Sequence, residues 1–182
     1  MKSLIRMLGR FAPEALKKRE IGRLFRVTAA AFGSPVPALV GHSFDQCLLE
    51  YARFTRTESL KLCTPGAGCE DACKRLFSGG ESLGARIRRM CMISSLEEAV
   101  CAMSVLYGTI GIRAGANGES GMEVARCYFA SVYSPEICSI MSSLDDGIFA
   151  GLSGGGRLRF GKRITDCSDC CSAEIVPPEG RA

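Results

Sequence analysis

The spacing of apolar residues changes once along this 182-residue chain, and that change limits the fold more than any composition figure. Up to Gly108 apolar residues recur at helical spacing, and beyond it they alternate. Ile21, Leu24, Phe25 and Phe32 share one helical face, with Thr28 its one polar member, and Gly33 with Pro35 stops that run. Ser43 to Gln46 has the form of a capping box. Phe44, Cys47, Leu48, Tyr51 and Thr55 follow on the face of a helix that ends near Leu62. Residues 63–80, CTPGAGCEDACKRLFSGG, are rich in glycine and read as a loop. Residues 82–92 read as a basic helix carrying Arg86, Arg88 and Arg89. Ser95 to Glu98 is a second capping box, opening a helix whose face is Leu96, Ala99, Val100, Met103 and Tyr107.

After Gly108, Ile110, Ile112 and Ala114 alternate as in a strand, and Asn117-Gly118 supplies a turn. Met122 to Val132 reads as a long second strand. Ser134-Pro135 opens a helix striped by Ile137, Ile140, Met141, Leu144 and Ile148. A glycine-rich turn, Ser153 to Gly156, leads to a third strand over 157–160 and a fourth over 172–176. The order predicts an α+β fold in which N-terminal helices pack on a small four-stranded antiparallel sheet. That sheet is made of two hairpins separated by a helix. No repeat or linker divides the chain, so one domain is expected over 1–182. It would comprise a mainly helical part (1–108), a hairpin–helix–hairpin part (109–176) and a loose tail (177–182).

The net charge of +4 is unevenly placed. Lys2, Arg6, Arg10, Lys17, Lys18, Arg19, Arg23 and Arg26 stand against only Glu14 and Glu20 in the first thirty-one residues. Such a basic amphipathic segment is a solvated face or touches nucleic acid, a membrane or an acidic partner. With no Trp and no RNA-binding aromatic motif, nucleic acid is not an expected partner. No apolar run is long enough to span a bilayer, and the N-terminus lacks a secretory h-region, so a cytoplasmic location is expected.

Eleven cysteines are the unusual quantity. An odd number without an export signal argues against a disulfide framework, leaving core filler, metal ligands or reactive thiols. Cys167, Cys170 and Cys171 contain a C-x-x-C with an added thiol, the spacing that a tetrahedral metal or a dithiol switch uses. Asp166 and Asp169 beside them oppose thiolate formation. Cys63, Cys69 and Cys73, with Cys91 as a fourth, form a second metal candidate whose spacing matches no standard signature. Zinc or an iron–sulfur cluster is the cofactor these sets would hold.

Cys138 falls in the first turn of its helix, where the macrodipole is expected to favour a thiolate nucleophile. Asp145, seven residues on, shares its face and is placed to act as base or orienter. Cys127 lies in the preceding strand. Cys47 and Cys101 sit in apolar helices as core filler. His42, the only histidine, precedes a helix cap, so multi-histidine metal sites are excluded. Gly154-Gly155-Gly156 lacks the Lys-Ser/Thr pair and following helix of a phosphate loop.

Residues 122–175, MEVARCYFASVYSPEICSIMSSLDDGIFAGLSGGGRLRFGKRITDCSDCCSAEI, resemble the C-terminal part of L-2-amino-thiazoline-4-carboxylic acid hydrolase-like proteins. The shared pattern is a strand Cys, a helix Cys, a later Asp, an Arg and a final hairpin Cys, here Cys127, Cys138, Asp145, Arg163 and Cys171. Residues 44–62 resemble the helical part of the same family. Topologically the chain is similar to 4-vinyl-reductase-type small-molecule-binding domains and to vesicle-tethering subunits of the TRAPP type. It departs from the hydrolase-like pattern at Asp169-Cys170, where a Gly-Asp usually precedes the last Cys.

The resemblance implies hydrolysis of a small cyclic C–N substrate such as a thiazoline carboxylate. Cys138 or Cys127 would be the nucleophile, Asp145 the base, and Arg163 the anchor for a substrate carboxylate. Two alternatives stand beside it. One is a metal- or ligand-binding redox-sensing module, and the other is an assembly subunit, including a homodimer.

Overall fold

The computed structural model describes residues 13–63, 68–118 and 120–178. The basic residues Lys2, Arg6 and Arg10 and the end of the expected tail lie outside them. The described elements follow the predicted change of period: α1 (Glu14–Phe32), α2 (Phe44–Leu62), α3 (Cys69–Cys91), α4 (Leu96–Thr109), β1 (Arg113–Ala116), β2 (Gly121–Arg126), α5 (Pro135–Ser153), β3 (Arg157–Lys162) and β4 (Cys171–Val176). Short 3₁₀ turns lie at Tyr128–Ser131 and Ile164–Asp166. The strands form one antiparallel sheet in the order β1-β2-β4-β3. The fold is α+β, and one apolar core runs from Ile21 and Phe25 on α1 to Ala173 and Ile175 on β4.

Capping sets the helix starts. Both halves of the Ser43 box form: its hydroxyl accepts from the Gln46 amide at 3.2 Å, and Gln46 Oε1 accepts from the Ser43 amide at 2.7 Å. Ser43→Ala should therefore cost about 1 kcal/mol, read as a lower denaturant midpoint with an unchanged slope. At α4 only half of the expected box forms. The Ser95 hydroxyl accepts from the Glu98 amide at 3.2 Å, but the Glu98 carboxylate takes its bond from the Ser94 amide at 3.0 Å, one residue further out. Thr28, fully buried on α1, returns its hydroxyl proton to the Leu24 carbonyl at 2.9 Å.

Two expectations are corrected. Residues 69–80 are not loop but the first half of the 23-residue helix α3. Gly79 and Gly80 read as breakers, yet Gly80 and Gly84 are where α3 meets α5 backbone to backbone. A Cβ on Gly80, Gly84, Gly147 or Gly151 would fall under 3.0 Å from main-chain atoms of the facing helix. Absence of a side chain here permits close helix contact rather than flexibility.

The long strand 122–132 is also shorter, because β2 ends at Arg126. The chain then turns as 3₁₀ helix, the Tyr128 amide donates to the Gly111 carbonyl at 3.2 Å, and Phe129 enters the core. No single described helix is long and apolar enough to cross a membrane.

Candidate functional site

Helix α5 supplies two of the predicted residues. Its cap is Ser134, whose hydroxyl accepts from the Ile137 amide at 3.5 Å, and Pro135 occupies the first turn. Cys138 and Asp145 both line one internal cavity of about 130 Å³. That is close to the volume of an engineered cavity that admits benzene. Cys127, just after β2, and Cys171, the first residue of β4, line the same cavity. Pairing of Val124 with Cys171 across β2 and β4 carries the last cysteine to the place where the chain leaves β2. Four predicted residues that are distant in sequence therefore meet at one cavity with mostly apolar walls.

Asp145 is half-buried and lines the cavity. Burial raises its pKa from 3.8 to about 7; the Tyr107 hydroxyl, donating to it, opposes the rise, and the Asp146 charge adds to it. Burial also pushes the Cys127 thiol up to about 11, against the Phe129 and Ala130 amides that point at its sulfur. Cys138 is raised as well, chiefly by burial, with the Thr165 hydroxyl and Arg163 acting the other way. Cys171 follows the same pattern, its sulfur accepting from the Ile164 amide at 3.3 Å. At Cys138 burial thus opposes the thiolate that its place in the first helical turn would favour.

Arg163 does not line the cavity. It stands behind the thiols, half-buried, with its guanidinium 5.7 Å from the Phe160 ring centroid. It favours ionisation of Cys138 and Cys171. Its Nε and the Thr165 hydroxyl are buried and lack a hydrogen bond of acceptable geometry.

The adjacent carboxylates divide their work. Asp146 points away from the cavity, binding the Arg157 guanidinium at 2.6–3.1 Å and the Leu158 amide at 2.8 Å, which ties α5 to β3.

The tyrosines are the residues that sequence reasoning missed as site members. Tyr51, Tyr107 and Tyr133 all line the cavity. The Tyr133 hydroxyl lies 2.5 Å from Thr55 Oγ1, whose own proton goes to the Tyr51 carbonyl. The Tyr51 hydroxyl is buried and makes no hydrogen bond of acceptable geometry. A signal was present: a phenol on an otherwise apolar helical stripe needs a partner for its hydroxyl.

The metal candidates do not assemble. Among the described residues, no group of three or more His, Cys, Asp or Glu is arranged to hold a metal ion. Cys167 is exposed and Cys170 half-buried, so only Cys171 of that trio reaches the cavity. Cys63 is exposed, and its thiol donates to the Ser59 carbonyl at 3.4 Å. Cys69 and Cys73 lie one turn apart on α3, their thiols hydrogen-bonded to each other. Cys91 ends the same helix about 33 Å away, which removes it as a fourth ligand. These donor sets do not fit zinc or an iron–sulfur cluster.

Cys47 is core filler as expected, whereas Cys101 is half-buried. His42 contacts the Val40 carbonyl at 3.3 Å and is not part of the cavity wall. Gly154 is the left-handed C-cap of α5. No family model matches the chain, and no curated protein or solved structure does.

Proposed function

We propose that the protein binds a small molecule in this cavity and cleaves a C–N bond of it through the Cys138 thiol. The supporting observation is that Cys127, Cys138, Cys171 and Asp145 all line one pocket. Cys138 and Asp145 are two helical turns apart, about 10 Å. A ligand lying between them meets sulfur at one end and a carboxyl at the other. As sulfur bonds to the electrophilic carbon, the thiol proton passes to water, favoured by Thr165 and Arg163. The proton that left the thiol reaches the departing nitrogen through water as the C–N bond breaks, and Asp145 orients the ligand from the far end. Water then releases the product from sulfur, which regains its proton. The Thr165 hydroxyl, which lines the cavity beside Cys138, suits a polar group such as the carboxylate of a thiazoline ring, with Arg163 behind it adding favourable charge.

The elevated thiols support a second reading, in which the cavity only binds its ligand. Turnover of a thiazoline carboxylate separates the two. Under the first reading Cys138→Ser reduces kcat by about 100-fold or more with little change in ligand affinity. Unchanged turnover in that variant leaves the binding module.

A further inference from the structure

The thiol chemistry leaves open what part of a ligand faces Asp145. That carboxyl sits in the cavity wall, its hydrogen-bond donor is Tyr107, and the charged group acting on it is the like-signed Asp146. Among the described residues no basic side chain is paired with it. Arg163 acts on Cys138 and Cys171, and the Lys17 ammonium lies over the Phe44 ring. Beside it the cavity is walled by Tyr51, Tyr107, Phe129 and Tyr133. Phe129 holds these rings together, stacked on Tyr133 at 5.3 Å and meeting Tyr51 edge-on at 6.1 Å. The Tyr51 hydroxyl among them is buried, with Thr28 beside it and no hydrogen bond of acceptable geometry. A buried carboxylate without a counter-ion is costly. A carboxylate set among aromatic rings is the arrangement that recognises an organic cation.

We infer that the cavity takes a ligand with a protonated nitrogen, seated against the Asp145 carboxylate among Tyr51, Phe129 and Tyr133, with its apolar part toward Leu24 and Leu106. The inference rests on the cavity of the proposed function but not on its thiol step.

Binding then exchanges a proton for the ligand's charge. Besides Lys17 and Glu20 on α1, which line the cavity, the titratable groups facing Asp145 are Tyr51 on α2, Tyr107 on α4, Cys127 and Tyr133 ahead of α5, Cys138 and Asp146 on α5, and Cys171 on β4. The phenols and thiols are held above their ordinary values, so they stay protonated through pH 6 to 8. Asp146 is paired with Arg157. The proton released is that of Asp145.

Calorimetric titration of the full chain with benzylammonium, benzyl alcohol and benzoate, at pH 6 and 8 in buffers of different ionisation heat, tests this. Benzylammonium should bind about tenfold or more tighter than the alcohol at pH 8, with benzoate weakest. Close to one proton per ligand should be released at pH 6 and close to none at pH 8. Asp145→Asn should abolish the preference for the cation. The proton count needs only the unaltered protein, so it stands even where that variant does not fold.

Equal affinity for the alcohol, tighter binding of benzoate, or no proton release at pH 6 would overturn the inference. Binding of none of the three overturns the cavity reading with it. Cation binding without thiol-dependent turnover leaves the inference intact and ends the hydrolytic reading.

Discussion

Gly147→Ala should lower the thermal unfolding midpoint by about 4–8 °C, although alanine is the better helix former. Two effects oppose each other at this position. Replacing glycine inside a helix gains about 1 kcal/mol. Overpacking a well-filled contact costs about 1–3 kcal/mol, occasionally more, and a main-chain obstacle puts this site at the upper end. The obstacle decides which wins. The added methyl would meet the Phe77 carbonyl and Cα of α3, main-chain atoms that cannot rotate aside. Gly22→Ala is the control: it lies within α1 with nothing inside 4 Å of an added Cβ, so only the propensity gain remains, a rise of about 2–4 °C. Scanning calorimetry of both variants checks the pair. Equal melting of Gly147→Ala and the parent chain would show that α3 and α5 do not approach this closely.

Asp145→Asn should make the protein more stable above pH 7, not less. The carboxyl has a folded-state pKa of about 7 against 3.8 without the fold. Below pH 3.8 both states are protonated and the group contributes nothing to the stability difference. As pH rises from there toward 7, the unfolded chain ionises first, so the native state loses stability, and the loss levels off above pH 7. The shift of about 3 pH units corresponds to an upper bound of roughly 4 kcal/mol. Asparagine keeps an oxygen to accept from Tyr107 but cannot ionise. Denaturant melts between pH 4 and 8 should show parent and variant converging at the acid end and separating toward the alkaline end, with the variant higher. Parallel curves would mean that Asp145 is hydrated and its pKa ordinary.

The α+β architecture was legible because the change of apolar period after Gly108 is a physical signal, and the caps at Ser43, Ser95 and Ser134 marked helix starts that the structure keeps. The start of α3 was not legible. Gly80 and Gly84 look like punctuation in a list of residues, and their reason for being glycine lies on α5, more than sixty residues away. β2 was read too long because Tyr128 and Phe129 suit a strand, and only the Gly111 carbonyl and the core decide that they turn away. The shared face of Cys138 and Asp145 followed from the helix period, whereas their grouping with Cys127 and Cys171 was implied only by the family resemblance. The ionisation of Cys138 did not, since burial depends on every wall of the cavity at once.

The order β1-β2-β4-β3 leaves β1 and β3 at the rims of the sheet. β1 has four residues and packs beside α4. β3 turns Arg157, Arg159 and Lys162 to solvent. A second chain adding itself alongside β3 in antiparallel fashion would bring these cations against their own kind, which disfavours continuation of the ladder. Self-association by strand addition at this rim is therefore guarded against by charge.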